Sequence, residues 1–375
     1  MAMVQPLRVL LAGGGTGGHI YPLLSLAAEL RTRFPAAAVR FAGEAGRMEA
    51  ELVAREGWDL TLLRLPPANA PAWRRVLAAP AYLAGYREAA RLLADFRPDV
   101  VLGSGGQVCA PVLLAARRQG TARVILEPNA IPGRANRWLA AKAAPDLVGI
   151  LIPMARDYFP GVRVEELGYP IRPEILRATR EQSARELGLD PSRPTVLVFG
   201  GSLGSGRINE ALVGLLPNLH EPWAKALQVL HLGGRVNART IASEAVSNLS
   251  VAYHYRDYLH EMELALAAAD LVVGRAGAMS LAELTARGLP AVLVPFPGAA
   301  DDHQRHNAAW MAAAGGAVVV PDSELTPARL GQELAALLTE PSRLAAMAAS
   351  SLALGKPAAA SSIVERMVEL AARGG

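Results

Sequence analysis

A glycine-rich stretch near the start of the chain has the residue types and the spacing of an anion-binding loop. Residues 9–22 read VLLAGGGTGGHIYP, in which an apolar run is followed by glycines, a threonine and a histidine. Apolar residues recur at helical spacing beyond it, so the stretch predicts a strand, a loop and a helix. Glycines leave backbone N–H groups uncovered at the start of such a helix, where they hold phosphate or another anionic oxygen. We expect His19, in the first helical turn, to face the bound group.

Similar glycine clusters follow two other apolar runs. The run DVVL at 99–102 leads into GSGG, and the run TVLVF at 195–199 leads into GGSLGSG and a helical pattern. Short apolar strands that alternate with helices, with polar residues gathered where strands end, are typical of a parallel, doubly wound sheet. Because the opening pattern returns about half a chain later, we predict two similar α/β domains that face each other across a cleft.

Prolines and polar residues mark a boundary in the middle of the chain. The segment LGYPIRPEI at 167–175 and the polar residues up to Arg193 contain several prolines and predict a linker. We therefore expect domains at 1–166 and 167–357. An amphipathic helix at about 358–375 is expected to pack back on the first domain.

Composition limits the class of protein. With 375 residues the chain is too long for one ordinary core, and 51% apolar against 19% charged residues describes a globular protein. The single cysteine, Cys109, excludes an internal disulfide, and no Cys and His cluster has zinc spacing. Neither a signal peptide nor a membrane-spanning run is recognisable. We expect a cytoplasmic protein without a structural metal.

Basic residues are concentrated in one part of the chain. Residues 64–142 hold twelve Arg and Lys against four Asp and Glu, a local net charge of 12 − 4 = +8, which leaves 4 − 8 = −4 for the rest. Such a face fits nucleic acid or an anionic membrane surface. Aromatic side chains that alternate with arginines favour the membrane, and an ordinary amphipathic helix covering the sheet is the alternative. The candidate membrane contacts are Trp73, Arg74, Arg75, Leu77, Tyr82 and Tyr86.

Six segments, in order along nearly the whole chain, resemble one family of bacterial enzymes. They are GGGTGGHIYP at 13–22, GSGGQVCAP at 103–111, EPNAIPGRANRWL at 127–139, GYPIR at 168–172, FGGSLGSGRIN at 199–209, and RAGAMSLAEL through DDHQRHNA at 275–308. The sequence is similar to glycosyltransferase family 28, in its branch that adds N-acetylglucosamine to undecaprenyl-pyrophosphoryl-MurNAc-pentapeptide. The resemblance implies a GT-B fold of two Rossmann-like domains, of which the first binds acceptor and membrane and the second binds the UDP-sugar.

The resemblance also implies a reaction and its partners. N-acetylglucosamine would pass from UDP-GlcNAc to the MurNAc 4-hydroxyl of the lipid-linked acceptor, converting lipid I to lipid II with inversion and without a metal or other cofactor. The enzyme would act as a peripheral protein at the cytoplasmic face of the plasma (inner) membrane and would bind no nucleic acid. Another GT-B glycosyltransferase with a different acceptor and a UDP-sugar epimerase are the enzyme alternatives. A nucleic-acid binding module is the alternative that is not an enzyme.

Position within these segments assigns roles to the candidate residues. His19 is the candidate catalytic base or proton relay, since an imidazole can exchange a proton near neutral pH. The acceptor-binding candidates are Gly14, Thr16, Gly17, Gly18, His19, Gly105 and Gly106. The donor-binding candidates are Thr16, Gly17, Asn129, Arg172, Ser202, Leu203, Gly204, Ala278, Met279, Ser280, Glu283, His303 and Gln304. None is assigned to a metal.

Three of these residues also have simpler structural explanations. A histidine at a helix start can serve only to bond backbone groups. Glu283 can complement a helix dipole instead of accepting hydrogen bonds from ribose hydroxyls. Arg172 can be a surface arginine that caps a turn. Several glycines in each first-domain loop favour phosphate binding over tight packing alone.

Four positions depart from the family pattern. Pro128 and His303 stand where glutamine is expected, Gln107 where an aromatic residue is expected, and Tyr169 where asparagine is expected. These departures concern the details of sugar and acceptor contact, and they leave the reaction class unchanged.

Overall fold

The computed structural model describes residues 6–46, 49–66, 79–234 and 249–374. The chain forms two compact units, of which the first comprises Met1–Arg172 and Pro357–Gly375 and the second comprises Pro173–Lys356. The first boundary lies a few residues later than expected, because 167–172 belongs to the first unit.

The first unit is built on a parallel sheet, seven-stranded in the residues described. The central strands are runs of β-branched and leucine residues that are largely buried, as an internal parallel strand requires. In chain order the strands are β1 (Arg8–Ala12), β2 (Ala38–Glu44), β3 (Asp59–Leu63), β4 (Val100–Gly103), β5 (Ala122–Glu127), β6 (Leu147–Ile150) and β7 (Val164–Glu166). Their order across the sheet is β3-β2-β1-β4-β5-β6-β7.

Helices connect these strands. Because the chain moves outward to β3 and then returns beside β1, right-handed crossovers place helices on both faces of the sheet. In the described residues they are α1 (Gly17–Arg33), α2 (Glu49–Arg55), α3 (Ala79–Phe96), α4 (Cys109–Gln119) and α5 (Arg134–Ala143), with a 3₁₀ turn at Pro153–Tyr158. Among all described helices of the chain, none is both long and apolar enough to cross a bilayer.

The C-terminal helix, Ala359–Gly374, returns to the first unit and packs against α1. Its apolar stripe is fully buried at Ile363, Val364 and Met367. On the polar side, Nη1 of Arg33 in α1 lies 3.1 Å from a carboxylate oxygen of Glu365. Burial of an amphipathic stripe therefore explains the return, and the exposed ion pair adds little.

The second unit repeats the architecture. Its strands are β8 (Thr195–Phe199), β9 (Gln228–Leu232), β10 (Ala252–Arg256), β11 (Leu271–Gly274), β12 (Ala291–Leu293) and β13 (Ala317–Val319). All pairs are parallel, in the order β10-β9-β8-β11-β12-β13. The fully buried strands β8, β9 and β11 form the middle of this sheet, so the doubly wound prediction is confirmed for both units.

The segment predicted as a linker is largely helical. Two helices, α6 (Pro173–Arg177) and α7 (Arg180–Leu187), occupy it and pack on the helix Met262–Ala268 of the second unit. The other helices described in this unit are α8 (Gly206–Leu215), α9 (Pro222–Ala226), α10 (Met262–Ala268), α11 (Ala278–Arg287), α12 (His303–Ala313), α13 (Pro327–Leu338) and α14 (Pro341–Leu354). Short 3₁₀ turns lie at Leu216–Asn218, Ala300–Asp302 and Asp322–Glu324.

Strand register brings the candidate loops of each unit together. In the first unit Ala12 pairs with Gly103, so the loops after β1 and β4 start at one level. In the second unit Gly274 pairs with both Phe199 and Leu293, so the loops after β8, β11 and β12 do the same. Neighbouring carboxyl ends of parallel strands are where α/β proteins bind ligands.

Candidate functional site

The two glycine clusters of the first unit pack backbone against backbone. A Cβ atom on Gly106 would lie 2.6 Å from the carbonyl oxygen of Gly14, and one on Gly13 would lie 2.2 Å from Oγ of Ser104. Gly106 also has a φ of 86°, a conformation that side chains disfavour. Close packing therefore explains part of the glycine content, and it brings the predicted acceptor-binding residues of both loops together.

His19 lies half-buried in the first turn of α1, with its ring against the second cluster. Its Nδ1 is 3.1 Å from the carbonyl oxygen of Gly14, which can only accept, so we infer that Nδ1 carries the proton of the neutral ring. The lone pair is then on Nε2. A Cβ atom on Gly105 would come within 2.7 Å of Nε2, so the imidazole rests on this glycine. This is the tautomer that a base acting through Nε2 requires.

A buried carboxylate that sequence reasoning missed lies beside the first loop. Glu49, at the start of α2, is fully buried. Its Oε2 accepts the N–H of Gly15 at 3.2 Å, and its Oε1 accepts the N–H of Glu44 at 3.0 Å. The expectation of uncovered glycine N–H groups is therefore wrong at Gly15. No local sequence pattern predicts this contact, because glutamate is common at helix starts whatever it bonds to.

Thr16 and Arg172 are far apart in the sequence, but both lie beside residues of α1. Thr16 is the exposed N-cap residue of that helix, and its side chain accepts no capping hydrogen bond there. The guanidinium carbon of Arg172 lies 5.5 Å from the ring centre of Tyr21, a cation–π distance. Gly17 and Gly18 form the helical turn between them.

The loop after β5 is organised by one buried carboxylate. Oε1 of Glu127 accepts the backbone N–H and the side-chain N–H of Asn129 at 2.9 and 3.0 Å. Oε2 accepts the N–H of Gly133 at 3.0 Å and Nδ2 of Asn136 at 2.9 Å. Four donors satisfy a carboxylate that is only 1% exposed. The position of Asn129, a predicted donor-sugar contact, is thus fixed by Glu127.

The glycine loop of the second unit ends at a capped helix. Ser205 is the N-cap residue of α8, and its Oγ accepts the N–H of Ile208 at 3.4 Å. The preceding residues Ser202 and Leu203 lie exposed, Leu203 with 67% of its surface accessible. An exposed turn at a helix N-terminus has the geometry of an anion site.

A further pair of glycines, which sequence reasoning did not single out, lies against this loop. Gly234 has a φ of 88°, and a Cβ atom there would lie 2.2 Å from both N and Cα of Gly204. The backbone after β9 therefore touches the backbone of the loop directly. Gly233, the preceding residue, accepts a hydrogen bond at its carbonyl oxygen from Nδ2 of Asn209 in α8 at 2.9 Å.

Asn209, His231 and Tyr253 form a buried series of hydrogen bonds in which the donor of each bond can be assigned. Because its Nδ2 donates to Gly233, its Oδ1 must accept from Nε2 of His231, 3.0 Å away. Nδ1 of His231 then accepts from the Tyr253 hydroxyl at 2.7 Å. Burial of His231 lowers its pKa to about 4, so the ring is neutral near pH 7. These hydrogen bonds therefore fix the Gly233 turn without placing a charged group beside the loop.

Arg275 connects three loops of the second unit. Its Nη2 donates to Oγ of Ser205 at 2.7 Å, and its Nη1 donates to the carbonyl oxygen of Val294 at 3.0 Å and to Oδ1 of Asp322 at 2.5 Å. The guanidinium also lies 5.5 Å from the ring centre of Phe296. Arg275 was noticed only as part of a motif, and its long-range partners could not be read from the chain.

Glu283 lies in the second turn of α11 and is 9% exposed. Favourable interaction with a helix dipole falls off within the first turn, and α11 has no acidic residue in that turn. The dipole explanation is therefore weak, and a buried carboxylate here suits polar contact instead. Ala278, the first residue of α11, is buried, and Met279 and Ser280 beside it are half-buried.

His303 and Gln304 begin α12 and stabilise the loop before it. Nδ1 of His303 lies 2.7 Å from the carbonyl oxygen of Ala300, and Oε1 of Gln304 accepts the N–H of Phe296 at 3.0 Å. Asp302, the residue before His303, has a φ of 55°, which is uncommon without glycine. Both predicted sugar contacts thus also shape the loop that carries them.

The predicted membrane contacts are divided by the structure. Trp73, Arg74, Arg75 and Leu77 lie outside the described residues. Tyr82 is 38% exposed, and the whole of 79–84, APAYLA, is exposed in the first turns of α3. Tyr86 instead packs against the core of the first unit. Of the predicted membrane contacts, the described residues therefore support only the exposed apolar turn at 79–84.

Comparison with known families places both units. The family described as "Glycosyltransferase family 28 N-terminal domain" matches residues 9–145, and "Glycosyltransferase family 28 C-terminal domain" matches residues 195–367. Together the two matches cover most of the chain, with the first ending before β6 and the second spanning the whole second sheet.

Individual relatives are similar over nearly their full length. Proteins of Desulforamulus reducens (39% identical, 96% of this chain and 97% of the relative) and Clavibacter sepedonicus (42% identical, 92% of each) carry the same name. That name is UDP-N-acetylglucosamine--N-acetylmuramyl-(pentapeptide) pyrophosphoryl-undecaprenol N-acetylglucosamine transferase. Among solved structures, MurG of Acinetobacter baumannii superposes with a TM-score of 0.77 at 27% identity, over 97% of this chain and all of the other.

Proposed function

The chain belongs to glycosyltransferase family 28, and from that premise we infer that it transfers N-acetylglucosamine from UDP-GlcNAc to undecaprenyl-pyrophosphoryl-MurNAc-pentapeptide, the step from lipid I to lipid II of peptidoglycan synthesis. This conclusion rests on identity of about 40% to named transferases over nearly the whole chain. The fold is GT-B, with two parallel-sheet α/β units.

We propose that the second unit holds the donor. The exposed turn at Ser202 and Leu203 would bind the diphosphate through backbone N–H groups at the N-terminus of α8. Glu283 would accept hydrogen bonds from the ribose hydroxyls. As the bond from the sugar C1 to the phosphate oxygen breaks, the departing UDP gains charge, and N–H dipoles that are already oriented stabilise it without reorganising.

The first unit would supply the base. The MurNAc hydroxyl attacks C1 of the donor sugar, a C1–O bond forms on the face opposite the leaving UDP, and the hydroxyl proton passes to Nε2 of His19. Support comes from the tautomer, because the Gly14 carbonyl keeps the proton on Nδ1 and leaves the lone pair on Nε2. The packed loops at Gly14 and Gly106 would hold the acceptor next to His19.

We further propose that α3 contacts an anionic membrane at the cytoplasmic face. Its first turns expose six successive apolar residues, 79–84, among them Tyr82 and Leu83. Arg87 and Arg91 lie exposed farther along the same helix. Apolar side chains that insert at the interface, with basic residues beside them, bind anionic bilayers.

A transfer assay tests the reaction. Purified protein is offered several UDP-sugars with a muramyl-pyrophosphoryl lipid acceptor, and we expect transfer from UDP-GlcNAc alone. His19→Ala should lower kcat about 100-fold with the donor KM retained, while Glu283→Ala should raise the donor KM at least about tenfold. The exposed His220→Ala and Glu166→Ala are the matched controls. Transfer to a different acceptor, or interconversion of UDP-sugars without an acceptor, would favour the alternative enzymes.

Vesicle sedimentation tests the membrane contact. Leu83→Glu should weaken binding to phosphatidylglycerol vesicles, since it places a charge within the exposed apolar turn. Leu176→Glu is the control, at a leucine of the second unit that is 40% exposed, against 48% for Leu83. Equal sedimentation of the two variants would count against α3 as the membrane contact.

A further inference from the structure

Helix α1 contains a proline, and its position affects the turn that carries His19. Pro22 lies inside the helix, four residues after Gly18. In an α-helix the N–H of residue i bonds to the carbonyl of residue i−4, and proline has no N–H. The carbonyl of Gly18, adjacent to His19, therefore has no helical donor.

A distant side chain supplies the missing donor. The hydroxyl of Tyr169 lies 2.8 Å from the carbonyl oxygen of Gly18, and since a carbonyl can only accept, the hydroxyl donates. Tyr169 is 2% exposed, so the ring is fixed by packing. Burial of the Tyr169 hydroxyl, and after it the nearby negative charge of Glu127, raise its pKa, so the hydroxyl keeps its proton for donation.

The next carbonyl along the helix is held in the same way. Oγ of Ser104 donates to the carbonyl oxygen of His19 at 2.8 Å. The backbone of His19 is thus held by a hydroxyl donor at its own carbonyl and by another at the carbonyl before it. The imidazole then lies between the Gly14 carbonyl and Gly105.

We propose that Tyr169 is a positioning residue for His19, because its hydroxyl replaces the hydrogen bond that Pro22 withholds from Gly18. The consequence for catalysis rests on the proposed function, in which His19 takes the acceptor proton. The packing itself does not depend on it.

Removing the hydroxyl and restoring the helical donor form a double-mutant cycle. In the full-length protein, Tyr169→Phe should lower kcat on the order of tenfold and leave the KM for UDP-GlcNAc within about twofold. In a Pro22→Ala background the residue-22 N–H can bond to Gly18, so adding Tyr169→Phe should cost less than about twofold. Tyr158→Phe, on the 3₁₀ turn Pro153–Tyr158, is the matched control.

Hydrogen–deuterium exchange provides a readout independent of activity. Tyr169→Phe should speed exchange in the peptide covering residues 15–24, Pro22→Ala should reverse the gain, and peptides of the second unit should not change. Wild-type kcat in Tyr169→Phe, or a loss that Pro22→Ala does not relieve, would overturn the proposal. If the wild-type protein transfers no sugar to the lipid acceptor, the proposed function fails, and the exchange data alone decide whether Tyr169 holds the turn.

Discussion

Replacing Glu127 with glutamine changes one atom of the carboxylate that organises the loop after β5. The two carboxylate oxygens accept four N–H donors, from Asn129, Gly133 and Asn136. Glutamine offers one oxygen and one NH₂ group. In either orientation of the amide, two of the four donors face another donor and lose their partner.

The magnitude follows from those two lost partners. A buried donor left unsatisfied costs about 1–3 kcal/mol, so Glu127→Gln should destabilise the native loop by roughly 2–6 kcal/mol. Rearrangement of residues 128–133 relieves part of this cost and moves Asn129. We expect the first unit to lose about 3 kcal/mol of unfolding free energy, and kcat/KM for UDP-GlcNAc to fall about 100-fold, because a displacement of about 1 Å has that effect.

Urea unfolding and steady-state transfer kinetics measure the two effects. The control is Glu166→Gln, at an exposed carboxylate that lies 3.2 Å from Arg156, where an ion pair contributes less than about 1 kcal/mol. If Glu127→Gln unfolded with the free energy of Glu166→Gln and kept its kcat/KM, the carboxylate would not be organising the loop.

Two further predictions concern the second unit. Gly234→Ala should raise the KM for UDP-GlcNAc at least about tenfold, since its Cβ would lie 2.2 Å from the Gly204 backbone, whereas Gly188→Ala, with a similar φ and open space around it, should not. His231 is protonated more readily unfolded, at a pKa of about 6.5, than folded, at about 4, so stability should fall by about 2 kcal/mol between about pH 7 and pH 5. His231→Gln should flatten that dependence in urea unfolding, and an unchanged slope would contradict the assignment.

Strands that are buried on both faces could be located from the chain to within a residue. The run at 195–199 has the predicted bounds and the run at 99–102 is shifted by one residue, because a parallel strand in the middle of a sheet needs an uninterrupted apolar run. The edge strand β7 has three residues, none of them buried, and carries no such signal. A short edge strand of this kind therefore went unrecognised.

The segment at 167–193, wrongly predicted as a linker, shows what the local sequence alone cannot decide. Pro173 was taken to stiffen a linker, yet proline also begins helices because its N–H is not needed there, and it begins α6. The outcome depends on a distant residue, since Nη1 of Arg287 donates to the carbonyl oxygens of Ile175 and Ala178 at 2.7 and 3.0 Å. Nothing in 167–193 alone distinguishes the two structures.

The same limit applies to the candidate site. Glycine loops could be found because strand, loop and helix are contiguous in the chain. Glu49 and His231 could not, because each acts on a loop that is distant in sequence. Their positions become visible only when the sheet register brings the loops together.

The two loops nevertheless differ in a way that bears on which ligand each holds. In the first unit a carboxylate, Glu49, already occupies the Gly15 N–H and adds negative charge beside the loop. In the second unit the loop is instead supported by the hydrogen bonds of His231. The low pKa of this imidazole keeps it neutral. A diphosphate carries several negative charges, and a carboxylate bonded to the same loop would repel them. The contrast supports placing the diphosphate of the donor on the loop at Ser202, and it leaves to the loop at Gly14 the part of the acceptor that His19 can deprotonate.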